Sequence, residues 1–294
     1  MDNEVVTMVN IVGQCISDDD GAIVTTEPAP IVSTGAGVSH GTVTSADGTR
    51  IAWSRRGSGP DLVMVHCVAV SRSSTPQPAL PDALAEHFTV WTYDRRGTGE
   101  SGTTPPYAVE REFEDLRAII GLAEGRPVLG YGFSSGATLL LLAAEAGVPL
   151  VGLAPLEPPL MPADPHFDLR AEAQRRIETS LADAHHWFNT EVVGVPAEIL
   201  EQMPPPTEND LQNTATIVHE LTFLPGTSAQ RFAGLRTPIV VISSDATDPT
   251  MLAGVQELAA TIPSASAAIV PGEWHGVDDA TLTLTIRDFA AGLR

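Results

Sequence analysis

The chain contains no lysine: all 16 of its basic residues are arginines. With no lysine there is no Schiff-base nucleophile, which excludes pyridoxal-phosphate and imine chemistry. Cysteine is nearly absent too, with only Cys15 and Cys67. Two cysteines make neither a disulfide framework nor a CxxC, so a cytoplasmic protein is expected. The eight histidines never form HExxH or another tight ligand spacing, so no metal site is expected. No apolar run approaches the length of a membrane span; the longest lies near Leu139 to Ala146. The first residues, Met1-Asp2-Asn3-Glu4, lack a basic n-region and an apolar h-region, so no signal peptide is expected. Positive charge is outweighed throughout, to a formal net charge of -21. Such a surface repels phosphate backbones and anionic lipid, so neither nucleic acid nor a membrane surface is an expected partner. The expected partner is a small-molecule substrate.

What is present is a globular chain, 43% hydrophobic over 294 residues, long enough for a sizeable core with an insertion. Residues 1–40 stand apart, with the acidic cluster Asp18-Asp19-Asp20 and the prolines Pro28 and Pro30. They read as an N-terminal arm whose alternation around Val5 to Val12 suits an edge strand or a contact in a homodimer. From Thr42 the pattern becomes regular. Asp47-Gly48 reads as a hairpin turn between Val43 and Ile51-Trp53. Leu62 to Val65 is a continuous apolar run, as in a strand buried on both faces. Helix and strand then alternate up to Leu156, which predicts a parallel sheet wrapped by helices. Residues 158–231 break the alternation with proline-punctuated, helix-like sequence, and it resumes at Pro238. The expectation is an α/β fold, with a mostly parallel central sheet flanked by helices. The core comprises residues 41–157 and 232–294, and 158–231 form an inserted helical cap.

Gly-x-Ser-x-Gly occurs twice. The chemistry needs a strand running into a sharp, strained turn that presents the serine, then a helix leaving it. Ser39, in Gly37 to Gly41, precedes Thr42-Val43-Thr44 and reads as a flexible loop. Ser134, in Gly132 to Gly136, lies between the strand-like Val128 to Tyr131 and the helical Ala137 to Leu142. Ser134 is therefore the candidate nucleophile, and a serine needs a base. His275, in Pro271-Gly272-Glu273-Trp274-His275-Gly276, follows the last strand and is the candidate base. Asp248 is the preferred orienting acid: it precedes a proline on the loop after strand 239–242, with room for one helix and one strand before His275. Glu157, ending the preceding strand, and Asp245 are the alternatives. Backbone amides of Val68 and Ser135 are the expected oxyanion donors. Substrate contact is expected from Cys67, Phe133, His186, Trp187 and Trp274, with His185, Phe188 and Met203 as further pocket candidates. No cofactor is expected.

From about Gly41 onward the chain resembles α/β-hydrolases, in particular small serine hydrolases of the type common in actinobacteria. The resemblance is carried by Asp94-Arg95-Arg96-Gly97-Thr98-Gly99-Glu100-Ser101-Gly102, by Gly132 to Gly136, by Glu157-Pro158-Pro159 and by Gly272-Glu273-Trp274-His275. It implies a serine hydrolase, with Arg95 and Arg96 organising loops around the site. The motifs do not specify a substrate; the first expectation is an ester or thioester of a small, largely apolar substrate, with an amide, lactone or carbon–carbon bond as further options. The usual His-Gly after the third core strand is His66-Cys67 here, which can reshape the oxyanion loop. A serine at 134 argues against haloalkane dehalogenation. A non-hydrolytic cyclase or lyase and a catalytically silent binding protein are the alternative functions.

Overall fold

The computed structural model describes residues 32–34, 37–163 and 166–293. The arm's Val5 to Val12 lies outside them. Among the described residues nine strands form one sheet: β1 (Val32–Thr34), β2 (Val38–Thr44), β3 (Arg50–Arg56), β4 (Asp61–Val65), β5 (Thr89–Tyr93), β6 (Val128–Phe133), β7 (Gly152–Leu156), β8 (Ile239–Ser244) and β9 (Ala265–Val270). Their spatial order is β1-β2-β3-β5-β4-β6-β7-β8-β9. The first strands are antiparallel and pair onto β5 in the same sense, while β5, β4, β6, β7, β8 and β9 run parallel. The expected α/β fold, a mostly parallel sheet flanked by helices, is the one observed.

Side chains alternate across the sheet with the period of a strand. Val63 and Val65 face a core shared with helices α2 (Val109–Gly121), α3 (Ser135–Glu145) and α9 (Pro249–Thr261). Leu62 and Met64 face the other side, against α1 (Leu80–Ala85) and α10 (Asp279–Ala291). All five residues of β4 are buried, which explains why this strand reads as an unbroken apolar run. At the antiparallel end, Gly48 closes the β2–β3 turn at φ +85, a left-handed geometry that glycine adopts without penalty.

The arm is shorter than the sequence suggests. Val38 to His40 belong to β2, where Ser39 pairs with Arg55 on one side and Ser33 on the other. Ser39 is thus strand, not flexible loop, and the sheet starts before residue 41. His40 Nδ1 lies 2.9 Å from Ser54 Oγ, so a serine and a histidine punctuate a strand whose apolar pattern is weak.

Between β7 and β8, which pair directly, the chain departs into short helices: α4 (Leu169–Thr179), α5 (Leu181–Trp187), a π-helical turn (Phe188–Val193), α6 (Ala197–Leu200), α7 (Glu208–Thr214) and α8 (Ile217–Glu220). Side-chain caps start several of them. Asp168 accepts from Ala171 N, Ser180 from Asp183 N, and Thr207 with Asp210 forms a capping box. Ala173, Trp187, Phe188, Ile217 and Leu221 form a small apolar core of their own, packed on Val68 and Ala69 of the loop after β4. A 3-10 helix (Ala229–Gly234) returns the chain to the sheet. Among the described residues no helix is long and apolar enough to cross a membrane.

Candidate active site

Parallel strands release their loops at one edge of a sheet, and the loops after β4, β6, β7, β8 and β9 converge there. β6 ends at Phe133 and α3 begins at Ser135. Ser134, between them, is held at φ 54, ψ -126, a region costly for any residue with a Cβ. The turn is possible because its flanks are bare. A Cβ on Gly132 would fall 2.7 Å from Gly136 O and 2.8 Å from Ala137 Cα, and one on Gly136 would meet the carbonyls of Val65 and His66. Ser134 N–H donates to Leu156 O at 2.9 Å, fastening the bend to the end of β7.

His275 Nε2 lies 3.0 Å from Ser134 Oγ. Its loop is closed by paired hydrogen bonds between Glu273 and Gly276, and His275 itself sits at φ 51. Phe133 packs against the imidazole, with ring centroids 4.9 Å apart.

The other ring nitrogen meets not the preferred Asp248 but the alternative, Glu157. His275 Nδ1 is 2.6 Å from Glu157 Oε2. Asp248 instead caps α9, accepting from Thr250 N at 2.8 Å and Met251 N at 3.4 Å. Asp245 accepts from Gly272 N at 3.2 Å and is exposed. Glu157 is 0% exposed. Its carboxylate also accepts from Ser244 N at 2.8 Å, Ser243 Oγ at 3.1 Å and Thr247 Oγ1 at 3.1 Å. Burial opposes the charge, but these donors and His275 outweigh it and hold the carboxyl below its ordinary range. The φ of +47 at Glu157 turns the residue off the strand axis, toward the imidazole.

The Ser135 amide lies in the first turn of α3, where no intrahelical acceptor exists. Val68 N–H is engaged: it donates to Ser135 Oγ at 2.8 Å. Behind this contact lies a sealed charge cluster. Arg95 is bonded to Glu112 at 2.8 Å and to Glu220 of α8, so one buried guanidinium ties the helical insertion to the core. Arg96 pairs with Asp115 and Asp47, and Arg72 with Asp94 and Glu100. These arginines act as loop braces.

Ser134 and His275 open into a cavity of about 330 Å³. Its walls include Pro158 to Met161, Phe188, Val192, Leu224, Met251 and Trp274, with Asp248 on one side. Trp274 and Phe188 are thus on the wall. The other proposed contacts are not among the lining residues. Cys67 faces Arg95 and Glu220, and burial pushes its thiol up to about 12. Phe133 supports the imidazole from beneath. Trp187 belongs to the insertion's apolar core, with Arg176 over its ring. His186 borders a separate outer groove. His185 contacts Asn189, and Met203 is 45% exposed. The missed lining residues Leu160, Met161, Val192, Leu224 and Met251 are ordinary aliphatic residues with no local signature.

A model of the alpha/beta hydrolase family matches residues 62–282. The uncharacterized hydrolase YraK of Bacillus subtilis is 31% identical over 105 residues, which is 35% of this chain and 38% of that protein; the match therefore spans under two fifths of the relative. An alpha/beta hydrolase from Sphaerobacter thermophilus superposes with a TM-score of 0.77 at 38% identity, covering 85% of this chain and 99% of that one. A thermophilic esterase from Thermogutta terrifontis, solved with malate bound, superposes with a TM-score of 0.68 at 19% identity, covering 86% and 98%; at that identity the likeness speaks to fold alone.

Proposed function

Because the chain belongs to the alpha/beta hydrolase family, we propose that it is a serine hydrolase cleaving an ester or thioester of a small, largely apolar substrate through an acyl-enzyme. The observation that carries this reading is the unbroken relay from Ser134 Oγ to His275 Nε2 at 3.0 Å and from His275 Nδ1 to Glu157 at 2.6 Å. Ser134 attacks the carbonyl while His275 takes its proton. The Glu157 carboxylate holds the imidazole with Nδ1 protonated and stabilises the imidazolium that forms. His275 then protonates the leaving alcohol or thiol. Water, deprotonated by the same imidazole, attacks the acyl carbon and releases the acid with Ser134 restored.

The developing oxyanion falls to the Ser135 amide at the N-terminus of α3, where the helix dipole adds to the effect. Val68 supplies the second donor once its amide turns from Ser135 Oγ to the substrate. Residues 158–231 serve as a cap that roofs the pocket with Phe188, Val192 and Leu224.

The test is turnover of p-nitrophenyl butyrate with Ser134→Ala as control, together with mass-spectrometric mapping of a fluorophosphonate label. The reading expects turnover that vanishes with Ser134→Ala, and a label on Ser134. Labelling without turnover of any ester or thioester would point to a cyclase or lyase on the same scaffold. Neither turnover nor labelling would leave a silent binding protein.

A further inference from the structure

We infer that the pocket selects uncharged acyl groups and rejects substrates bearing a carboxylate, with Asp248 as the specificity-determining residue. This rests on the Ser134 reading above. Three observations carry it.

The first is the lining. Apart from His275, Asp248 is the one ionisable side chain among the described residues that line the cavity. The rest of the wall is chiefly apolar, as in Leu160, Met161, Phe188, Leu224 and Met251. A carboxylate entering there loses hydration and finds no arginine among these described lining residues to pair with in return.

The second is the supply of cations. The chain has no lysine, and its first 36 residues contain no arginine or histidine either. Of its 16 arginines, Arg95 braces the neighbouring oxyanion loop, but its side chain is 5% exposed and engaged by both Glu112 and Glu220. Its charge is therefore spent inside the protein.

The third is the position of Asp248. Thr250, Met251 and Gly254 of α9 also line the cavity. The N-terminus of a helix thus borders the pocket, a place where backbone amides would ordinarily welcome an anion. Asp248 occupies that place with a resident carboxylate, accepting from Thr250 N and Met251 N. It satisfies the donors that a substrate carboxylate would use and adds repulsion of its own.

The experiment compares three p-nitrophenyl esters of equal acyl length: the valerate, the neutral glutaramate and the anionic hemiglutarate, each corrected for spontaneous hydrolysis. In the wild type the hemiglutarate is expected to fall roughly 100-fold below the valerate in kcat/KM, from desolvation and repulsion together. The glutaramate separates polarity from charge. Asp248→Asn keeps an N-cap acceptor while removing the charge. It is expected to raise the hemiglutarate-to-glutaramate ratio roughly three- to tenfold at low salt, and less in 1 M NaCl. Asp248→Gly, tolerated at an N-cap, bares the α9 amides and is expected to raise that ratio at least as far. Hemiglutarate turned over as fast as valerate, or a ratio that neither variant moves, would overturn the inference while leaving Ser134 hydrolysis standing. Three esters inert to the wild type would sink both readings.

Discussion

Glu157 and Asp248 are both acids, and each lies just beyond the C-terminal end of one of two adjacent parallel strands, β7 and β8. Their surroundings are opposite. Glu157 is fully buried beneath His275, with donors on both oxygens. Asp248 is exposed at the pocket wall and spends its acceptor on the first turn of α9. Position after a strand therefore does not make a carboxylate an orienting group; the donors that face it do. Burial raises the cost of the Glu157 charge, and four hydrogen bonds offset that cost only if the charge is present. The same four bonds fix the carboxylate against the imidazole. At Asp248 the helix needs an acceptor, and any small one serves.

The largest expected effect follows from that contrast. Glu157→Gln replaces an anion with an amide that can donate to Nδ1 and so favours the wrong tautomer. We expect kcat for a neutral ester to drop roughly 10³- to 10⁴-fold, about 4–5.5 kcal/mol, with KM little moved. Steady-state kinetics beside a thermal melt separates this from unfolding. A loss below tenfold in a folded variant would show that the comparison assigns the wrong acid.

Next is the scaffold beneath both. Gly136→Ala puts a methyl group against the His66 carbonyl at 2.5 Å, and that acceptor is backbone with no freedom to retreat. We expect about 3 kcal/mol or more of destabilisation, read as a fall in the urea midpoint. An unchanged midpoint would mean that the elbow is looser than its geometry.

Acid sharpens the contrast, because partnered and unpartnered buried groups respond differently. His66 and His219 are both pushed down to about 4, chiefly by burial. His66 faces Asp94, Arg72 and Arg95; His219 faces Glu112, Arg95, Arg96 and Arg170 and stacks on Tyr107 at 3.9 Å. Both stay neutral in the fold yet protonate near 6.5 when unfolded. Below about pH 6.5 the unfolded state holds protons on both rings that the fold does not, so these two histidines lower stability as pH drops toward 4, together by about 2.7 kcal/mol per pH unit at the steepest. Asp115, pushed up to about 6 chiefly by burial, takes up its proton earlier in the fold and opposes part of that fall below pH 6. Glu157, held low, contributes stability that is present above its unfolded pKa and is lost only as pH falls through its lowered folded value. Urea midpoints between pH 7 and 4.5 measure the slope, and His219→Gln should reduce it by about 1.4 kcal/mol per pH unit at the steepest. A slope that His219→Gln leaves unchanged would mean that this ring is already protonated in the fold.

Much of this was legible because buried strands and tight turns leave local marks. The apolar runs of β4, β6 and β8, the glycines around Ser134, and the loop of His275 are all local in sequence. β2 was harder: Ser39, His40 and Gly41 give no alternation, and their pairing with β3 supplies the order. Local sequence favours Asp248 over Glu157 because the donors on Glu157 come from residues 243, 244, 247 and 275, a convergence that exists only after β7, β8 and β9 pair. Trp187 and His186 lie off the pocket although their sequence suits it, because an amphipathic helix does not reveal which of its faces meets the cavity. Val68 shows the limit from the other direction: a backbone donor carries no side-chain signature, and neither does the serine hydroxyl that occupies it.

The smallest effect tests the other half of the contrast. Asp248→Ala removes an N-cap whose oxygen serves Thr250 N and Met251 N. The cost is that of an exposed cap, about 1 kcal/mol, visible as a modest shift in the urea midpoint. Asp248→Asn should recover most of it, because an amide oxygen accepts the same bonds. Catalytic loss on a neutral ester should stay orders of magnitude below that of Glu157→Gln, since no donor on Asp248 belongs to His275. Were Asp248→Ala to match Glu157→Gln in kcat while remaining folded, a rearrangement bringing Asp248 onto the imidazole during turnover would be required. The two acids would then be partners in one relay rather than a relay member and a helix cap.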